Sequence, residues 1–139
     1  MNWPDINWKY LLIAVGLVLV AAVALMFLPQ TLSAKTISAY FSPASKLAPG
    51  QSTNLIVEVT NTLGKDISSF DITVKAVNEG IKIGSFQKPT GTIGAGETRR
   101  MTVPISLESG LLEGTYLVEI DVSLEDHPFS TRVGLEVKK

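Results

Sequence analysis

The chain has 139 residues, a formal net charge of −1, one histidine and no cysteine. Without thiols it has no disulfide, no thiolate metal site, no cysteine nucleophile and no covalently attached haem. One histidine leaves no histidine-based zinc site, and the near balance of charge gives no electrostatic footprint for nucleic acid.

Residues 1–9 are a short leading segment in which Trp3-Pro4-Asp5 reads as a helix start, with Pro4 tolerated in the first turn and Asp5 suited to the positive end of the dipole. From Leu11 to Leu28 the sequence is LLIAVGLVLVAAVALMFL, eighteen residues without a charge. At ~1.5 Å per residue this run reaches about 27 Å, close to the hydrocarbon thickness of a bilayer. A single transmembrane helix is therefore predicted over residues 10–29, closed by Pro29. Trp3, Trp8 and Tyr10 precede it as expected anchors in the headgroup layer.

The run is too long for the apolar region of a cleaved signal, and Thr31-Leu32-Ser33 is a mediocre cleavage site, so an uncleaved anchor is expected. Lys9 and the terminal amine on one side balance Lys35 and Lys46 on the other. The very short leader before one span favours a signal-anchor topology at the cell membrane, with the rest of the chain outside. Gly16, Ala21, Ala22 and Ala24 are small but make no Gly-xxx-Gly seam, and no ionisable residue interrupts the helix. Its expected task is anchorage, and the bilayer is the first expected partner.

After a linker at 30–35, the period switches to two. Removing Lys9, Lys35 and Asp5 leaves ten basic and twelve acidic residues in 36–139, a net of −2. Strands are predicted at 36–41, 54–61, 70–76, 81–86, 100–107, 116–124 and 129–137, with turns at 46–50 around Pro49-Gly50, at 61–66 around Leu63-Gly64-Lys65, at Asn78-Glu79-Gly80, at the glycine-rich 91–96, and at 125–128. The inward rows are Leu55, Val57, Val59; Phe70, Ile72, Val74, Ala76; Met101, Val103, Ile105, Leu107; Tyr116, Val118, Ile120, Val122, Leu124; and Phe129, Thr131, Val133, Leu135, Val137. Pro104 falls on the outward phase, as on an exposed edge strand. About seven short strands without an amphipathic helix predict an all-β, immunoglobulin-like β-sandwich over 36–139.

The segments Leu47-Ala-Pro-Gly50-Gln-Ser, Val57-Glu-Val-Thr-Asn-Thr62, Ile93-Gly-Ala-Gly-Glu-Thr98 and Gly114-Thr-Tyr-Leu-Val-Glu-Ile120 occur in an order that resembles the CARDB-like modules of archaeal and bacterial surface proteins. That resemblance covers most of 36–137 and rests on turn-plus-strand patterns. It implies an Ig-like fold in a surface protein, without catalysis. One amino-terminal span before one Ig-like domain is also similar to the stator subunits of the archaeal swimming filament, which stand between membrane and surface layer. Archaeal pilins share the plan, but Lys9-Tyr10-Leu11 lacks their small residue at the processing site.

The search for chemistry returns bland readings. His127 sits in Glu125-Asp126-His127-Pro128, which reads as a polar hairpin turn, and Asp121, Glu125 and Asp126 form no Asp-x-Asp-x-Asp calcium loop. Glu119 and Asp121 share one face of a strand, as a carboxylate pair does, and read instead as a solubilising stripe. Gly91-Thr-Ile-Gly-Ala-Gly96 lacks the Lys-Ser/Thr and the helix of a phosphate loop, and no Gly-x-Ser-x-Gly elbow occurs. Arg99-Arg100 point opposite ways and read as solvated.

No catalytic, cofactor-binding or metal-binding residue is expected, and neither nucleic acid nor a small-molecule substrate. The remaining candidates are surfaces: the short strand with Ile81, Ile83 and Phe86, and the loop residues Leu111 and Leu112, each able to serve as core instead. The expected function is protein–protein contact by a membrane-anchored, non-enzymatic subunit of a membrane or envelope assembly. The alternatives are a carbohydrate-binding or substrate-positioning module, and a stator or tether joining a surface filament to the surface layer.

Overall fold

The structure is a computed structural model that describes residues 35–139. The predicted leader, the span at 10–29 with Trp3, Trp8 and Tyr10, and the linker up to residue 34 lie outside the described residues. No helix among the described residues is long and apolar enough to cross a membrane.

Eight strands follow in order: β1 (Ile37–Ser42), β2 (Lys46–Leu47), β3 (Ser52–Thr60), β4 (Phe70–Ala76), β5 (Ile81–Ile83), β6 (Thr98–Leu107), β7 (Gly114–Leu124) and β8 (His127–Val137). They form two four-stranded sheets, β1-β3-β6-β5 and β2-β8-β7-β4. With β1 and β2 taken as one strand that changes sheets, this is the strand order of a constant-type immunoglobulin sandwich. The change of sheet takes place across the cis Ser42–Pro43 peptide. β2 then pairs in parallel with Glu136 and Val137 of β8.

β2 is the strand absent from the sequence prediction, where Lys46–Gly50 is a turn. Two residues are too few to show a period, and their pairing partner lies ninety residues downstream in the sequence. β5 is also shorter than predicted, ending at Ile83, because the chain turns away after Gly84 donates to the Pro104 carbonyl at 2.8 Å. Gly84 is needed there, since a Cβ would stand 2.9 Å from the Pro104 ring.

The inward rows meet between the sheets. Leu55, Val57, Val59, Val103, Ile105, Val118, Ile120, Leu124 and Leu135 are all at most 1% exposed. Each such side chain contributes roughly 1.5–3 kcal/mol by leaving water, which is how a cysteine-free sandwich holds together. Phe70, Ala76, Tyr116, Phe129 and Val133 lie at the rim of this layer, partly buried against it.

Two polar devices fix the ends. Asn61, 1% exposed, closes the end at which β1 begins. Its Nδ2 donates to the carbonyls of Lys65 (2.7 Å) and Ile93 (3.0 Å), and its Oδ1 accepts the Leu63 N–H (3.1 Å). Its backbone exchanges bonds with Glu97 and Gly96. At the opposite end the Tyr116 hydroxyl donates to the Leu112 carbonyl at 2.9 Å. This is a tyrosine corner, a tyrosine near the start of the sixth Ig strand that ties down the preceding loop.

Removing the Asn61 amide takes the side-chain donor from the carbonyls of Lys65 and Ile93, of which Ile93 keeps the Ile67 N–H, and the acceptor from the Leu63 N–H. Asn61→Ala is expected to cost about 2 kcal/mol, and Tyr116→Phe about 1 kcal/mol. Faster hydrogen exchange at the mutually bonded Ile67 and Ile93 amides checks the first, and a unchanged rate there would contradict it.

Candidate interaction surfaces

Each site candidate from the sequence has a definite place. His127 is exposed at the start of β8, directly after the two-residue hairpin loop Glu125–Asp126. Glu125 holds φ = 52°, a left-handed conformation that costs a side-chain-bearing residue energy. It is kept by a Lys65 ion pair at 3.0 Å and by its N–H donating to Ser69 at 2.8 Å. Among the described residues, no three histidine or carboxylate side chains converge as a metal-ligand group.

The glycine-rich connection uses its own amides. Gly94 N–H donates to Glu97 Oε2 at 2.7 Å and Ala95 N–H to Asp66 Oδ1 at 3.0 Å, so protein carboxylates occupy the donors that an anion would need. Arg99 and Arg100 diverge. Arg99 pairs with Glu97 at 2.8 Å and donates to the Thr92 carbonyl at 3.0 Å, bracing this loop. Arg100 lies on the outward face of the other side of β6.

The two outward faces differ in kind. On the β8-β7-β4 sheet the face is a compensated ionic lattice. Lys75 Nζ sits 2.9 Å from both Glu119 Oε1 and Asp121 Oδ2. Arg132 Nε donates to Glu119 Oε2 at 2.6 Å, and Ser130 Oγ to Asp121 Oδ1 at 2.7 Å. Lys88 reaches Asp71 at 2.7 Å. Hydrogen bonds from Lys75 hold the Glu119 and Asp121 carboxyls below the usual carboxylate range, and Lys88 does so for Asp71. Lys75 in turn is pushed up by Asp121 and Glu119. Each oxygen of the Glu119–Asp121 pair thus has a partner on the same sheet face, Lys75 and Arg132 on Glu119 and Lys75 and Ser130 on Asp121.

On the β1-β3-β6 sheet the outward residues are Ser38, Tyr40 and Ser42; Ser52, Asn54, Ile56, Glu58 and Thr60; and Thr98, Arg100, Thr102, Pro104 and Ser106. Of these only Glu58 and Arg100 are charged, and at the sheet edge Lys82 of β5 stands level with Ser106, 3.9 Å from Glu108. Ile56 turns away from the core yet is 6% exposed, flanked by Tyr40 on β1 and Thr102 on β6. Tyr40 itself is 41% exposed. Arg100 Nη2 donates to the Tyr40 hydroxyl at 3.2 Å, reaching from β6 across β3 to β1. Its contact with Glu58 is loose, at 4.0 Å. Hydroxyls, one exposed tyrosine and few charges thus set this face apart from the ionic lattice opposite. The signal for Ile56 is visible in the sequence as Leu55-Ile56-Val57, three apolar residues in succession on an alternating strand.

Of the surface candidates drawn from the sequence, Ile81 is buried at 8%, and Ile83, Phe86 and Leu111 are partly buried against the core. Leu111 lies over Gly80, where any Cβ would collide with it. Leu112 alone of the five stands out, at 74% exposure.

The ionic lattice predicts an acid response. The lowered native carboxyls mean that the unfolded chain binds more protons as pH falls. Their stabilisation is complete at neutral pH, begins to go below about pH 5, and is lost as pH passes through the lowered native values. Lys75→Met is expected to return Glu119 and Asp121 toward ordinary values and flatten this acid loss, as carboxyl NMR titration and unfolding at pH 3 and pH 7 would read.

No protein-family model matches the chain, and no curated protein matches its sequence. Among solved structures it is similar to the secreted serine protease VesC from Vibrio cholerae, at 10% identity over 76% of this chain and 24% of that one, with a TM-score of 0.48. It is likewise similar to the GAE domain of GGA2p from Saccharomyces cerevisiae, at 9% identity over 73% of this chain and 88% of that one, TM-score 0.47. The yeast GGA1 GAE domain stands close by, at 10% identity, 74% and 90% coverage and 0.47. The chain spans about a quarter of the length of the protease. At such identities these likenesses concern the fold and bring no chemistry with them.

Proposed function

We propose that the chain is a membrane-anchored, non-enzymatic Ig-like protein that presents its sandwich at the outer face of the cell membrane for protein–protein contact, as an accessory subunit of a membrane or envelope assembly. The observation that carries this reading is the eighteen-residue uncharged run Leu11–Leu28 directly preceding one sandwich domain. The engaged state of the outward carboxylates supports it, since Glu119, Asp121, Asp71, Asp66 and Glu97 are each committed to a cation or a backbone amide.

The carbohydrate-binding alternative needs a platform of exposed rings. Phe41 is buried, and Phe86, Tyr116 and Phe129 are partly buried, which leaves Tyr40, among the described residues, as a single exposed ring on a strand face. The CARDB-like and stator-like resemblance favours a structural role in the envelope, including a tether to a surface layer.

Fractionation tests the proposal. The full chain is expected to remain with membranes through alkaline carbonate, to be released by detergent, and to bring envelope proteins with it on affinity purification. A chain that appears free in the soluble fraction and alone on purification would overturn the proposal.

A further inference from the structure

We propose that the outer face of the β1-β3-β6 sheet is the contact face of a homodimer, with a twofold axis running parallel to the strands between β3 and β6. The occupant of the face is a second copy of this chain. The proposal rests on register and charge. Outward residues of β3 and β6 stand level with one another: Glu58 with Arg100, Ile56 with Thr102, Asn54 with Pro104. A twofold axis between the two strands exchanges those columns. It sets Glu58 of each copy over Arg100 of the other, and Ile56 over Thr102, twice each, as an isologous interface requires.

The face is prepared for this exchange. Arg100 and Glu58 meet loosely within one copy, at 4.0 Å, with side chains 61% and 35% exposed. The guanidinium has five donors, so it can keep the Tyr40 hydroxyl and still take a carboxylate from the second copy. Tyr40 and Arg100 are the residue types enriched where contact energy concentrates. The opposite sheet offers nothing equivalent, because its charges are already neutralised within the copy.

The place where the chain arrives selects the axis. Lys35, two residues before β1, follows the apolar run and leads into the end of the sandwich that Asn61 closes. A twofold axis parallel to the strands keeps both copies' Lys35 at the same end of the pair. An axis across the strands would put them at opposite ends, which two chains anchored in one bilayer from one side cannot adopt. This choice of axis rests on the anchored reading of residues 10–29, whereas the charge pairing does not.

The absence of cysteine in the sequence gives a clean test. Full-length Thr102→Cys is reconstituted in phosphatidylcholine liposomes and treated with a bismaleimide of ~8–10 Å reach, matched to facing sheets about 10 Å apart. Thr73→Cys, exposed on the other sheet, reports chance collisions. Covalent dimer from Thr102→Cys is expected to exceed that from Thr73→Cys by about tenfold. Glu58→Arg or Arg100→Glu added singly is expected to bring it down to the Thr73→Cys level, and the two together to restore it.

Equal cross-linking at Thr102 and Thr73, or cross-linking indifferent to single charge reversal, overturns the proposal. Flotation of the same liposomes reports anchorage separately. A floating chain that does not cross-link overturns the dimer and leaves the anchor standing. A chain that cross-links at Thr102 without floating supports the contact face and overturns the argument for the axis.

Discussion

The apolar layer shared by β3, β6 and β7 is the contact on which the rest of the molecule depends. Its members recur at every second residue of their strands, so a one-residue slip in any ladder would turn an entire row into water. That penalty fixes the register, and the register fixes which residues stand outward and beside which neighbours. The ionic lattice on one face and the sparsely charged face on the other are both consequences of an inward row being held in place. With no disulfide available, the closing of the two ends falls to hydrogen bonds, at Asn61 and at Tyr116.

Much of this was legible in the sequence. The strand at 70–76 has the predicted bounds, and the rows through Leu55, Met101 and Val118 are buried as their phase requires. What escaped had physical reasons. β2 is two residues long and is defined by a distant partner rather than by its own pattern. Asn61 reads locally as a turn residue, and its role depends on carbonyls of Lys65 and Ile93 that only the fold brings near. Tyr116 has the phase of a core residue, and phase cannot show that its hydroxyl spans back to Leu112.

The surface was harder to read than the core. The sequence candidates Ile81, Ile83, Phe86 and Leu111 are apolar residues in short or irregular segments, and the structure draws all four toward the core. Apolar character alone does not separate a plug at the rim of a sandwich from a docking residue, because both interrupt a polar stretch. The more informative sign was apolar character in the wrong phase. Ile56 is such a residue, and its neighbours Tyr40 and Arg100 turn an anomaly in one strand into a property of a whole face.

The ladder between β1 and β3 has a mechanical meaning. β1 is the first strand after Lys35, and it pairs with β3 through six successive residues, Ile37 to Ser42. A pull delivered through Lys35 along the strand loads all six pairs together, in shear, instead of peeling them one after another. Rupture then requires the whole ladder to fail at once. A domain joined to its surroundings through this strand resists extension where a domain hung from a hairpin end would unzip.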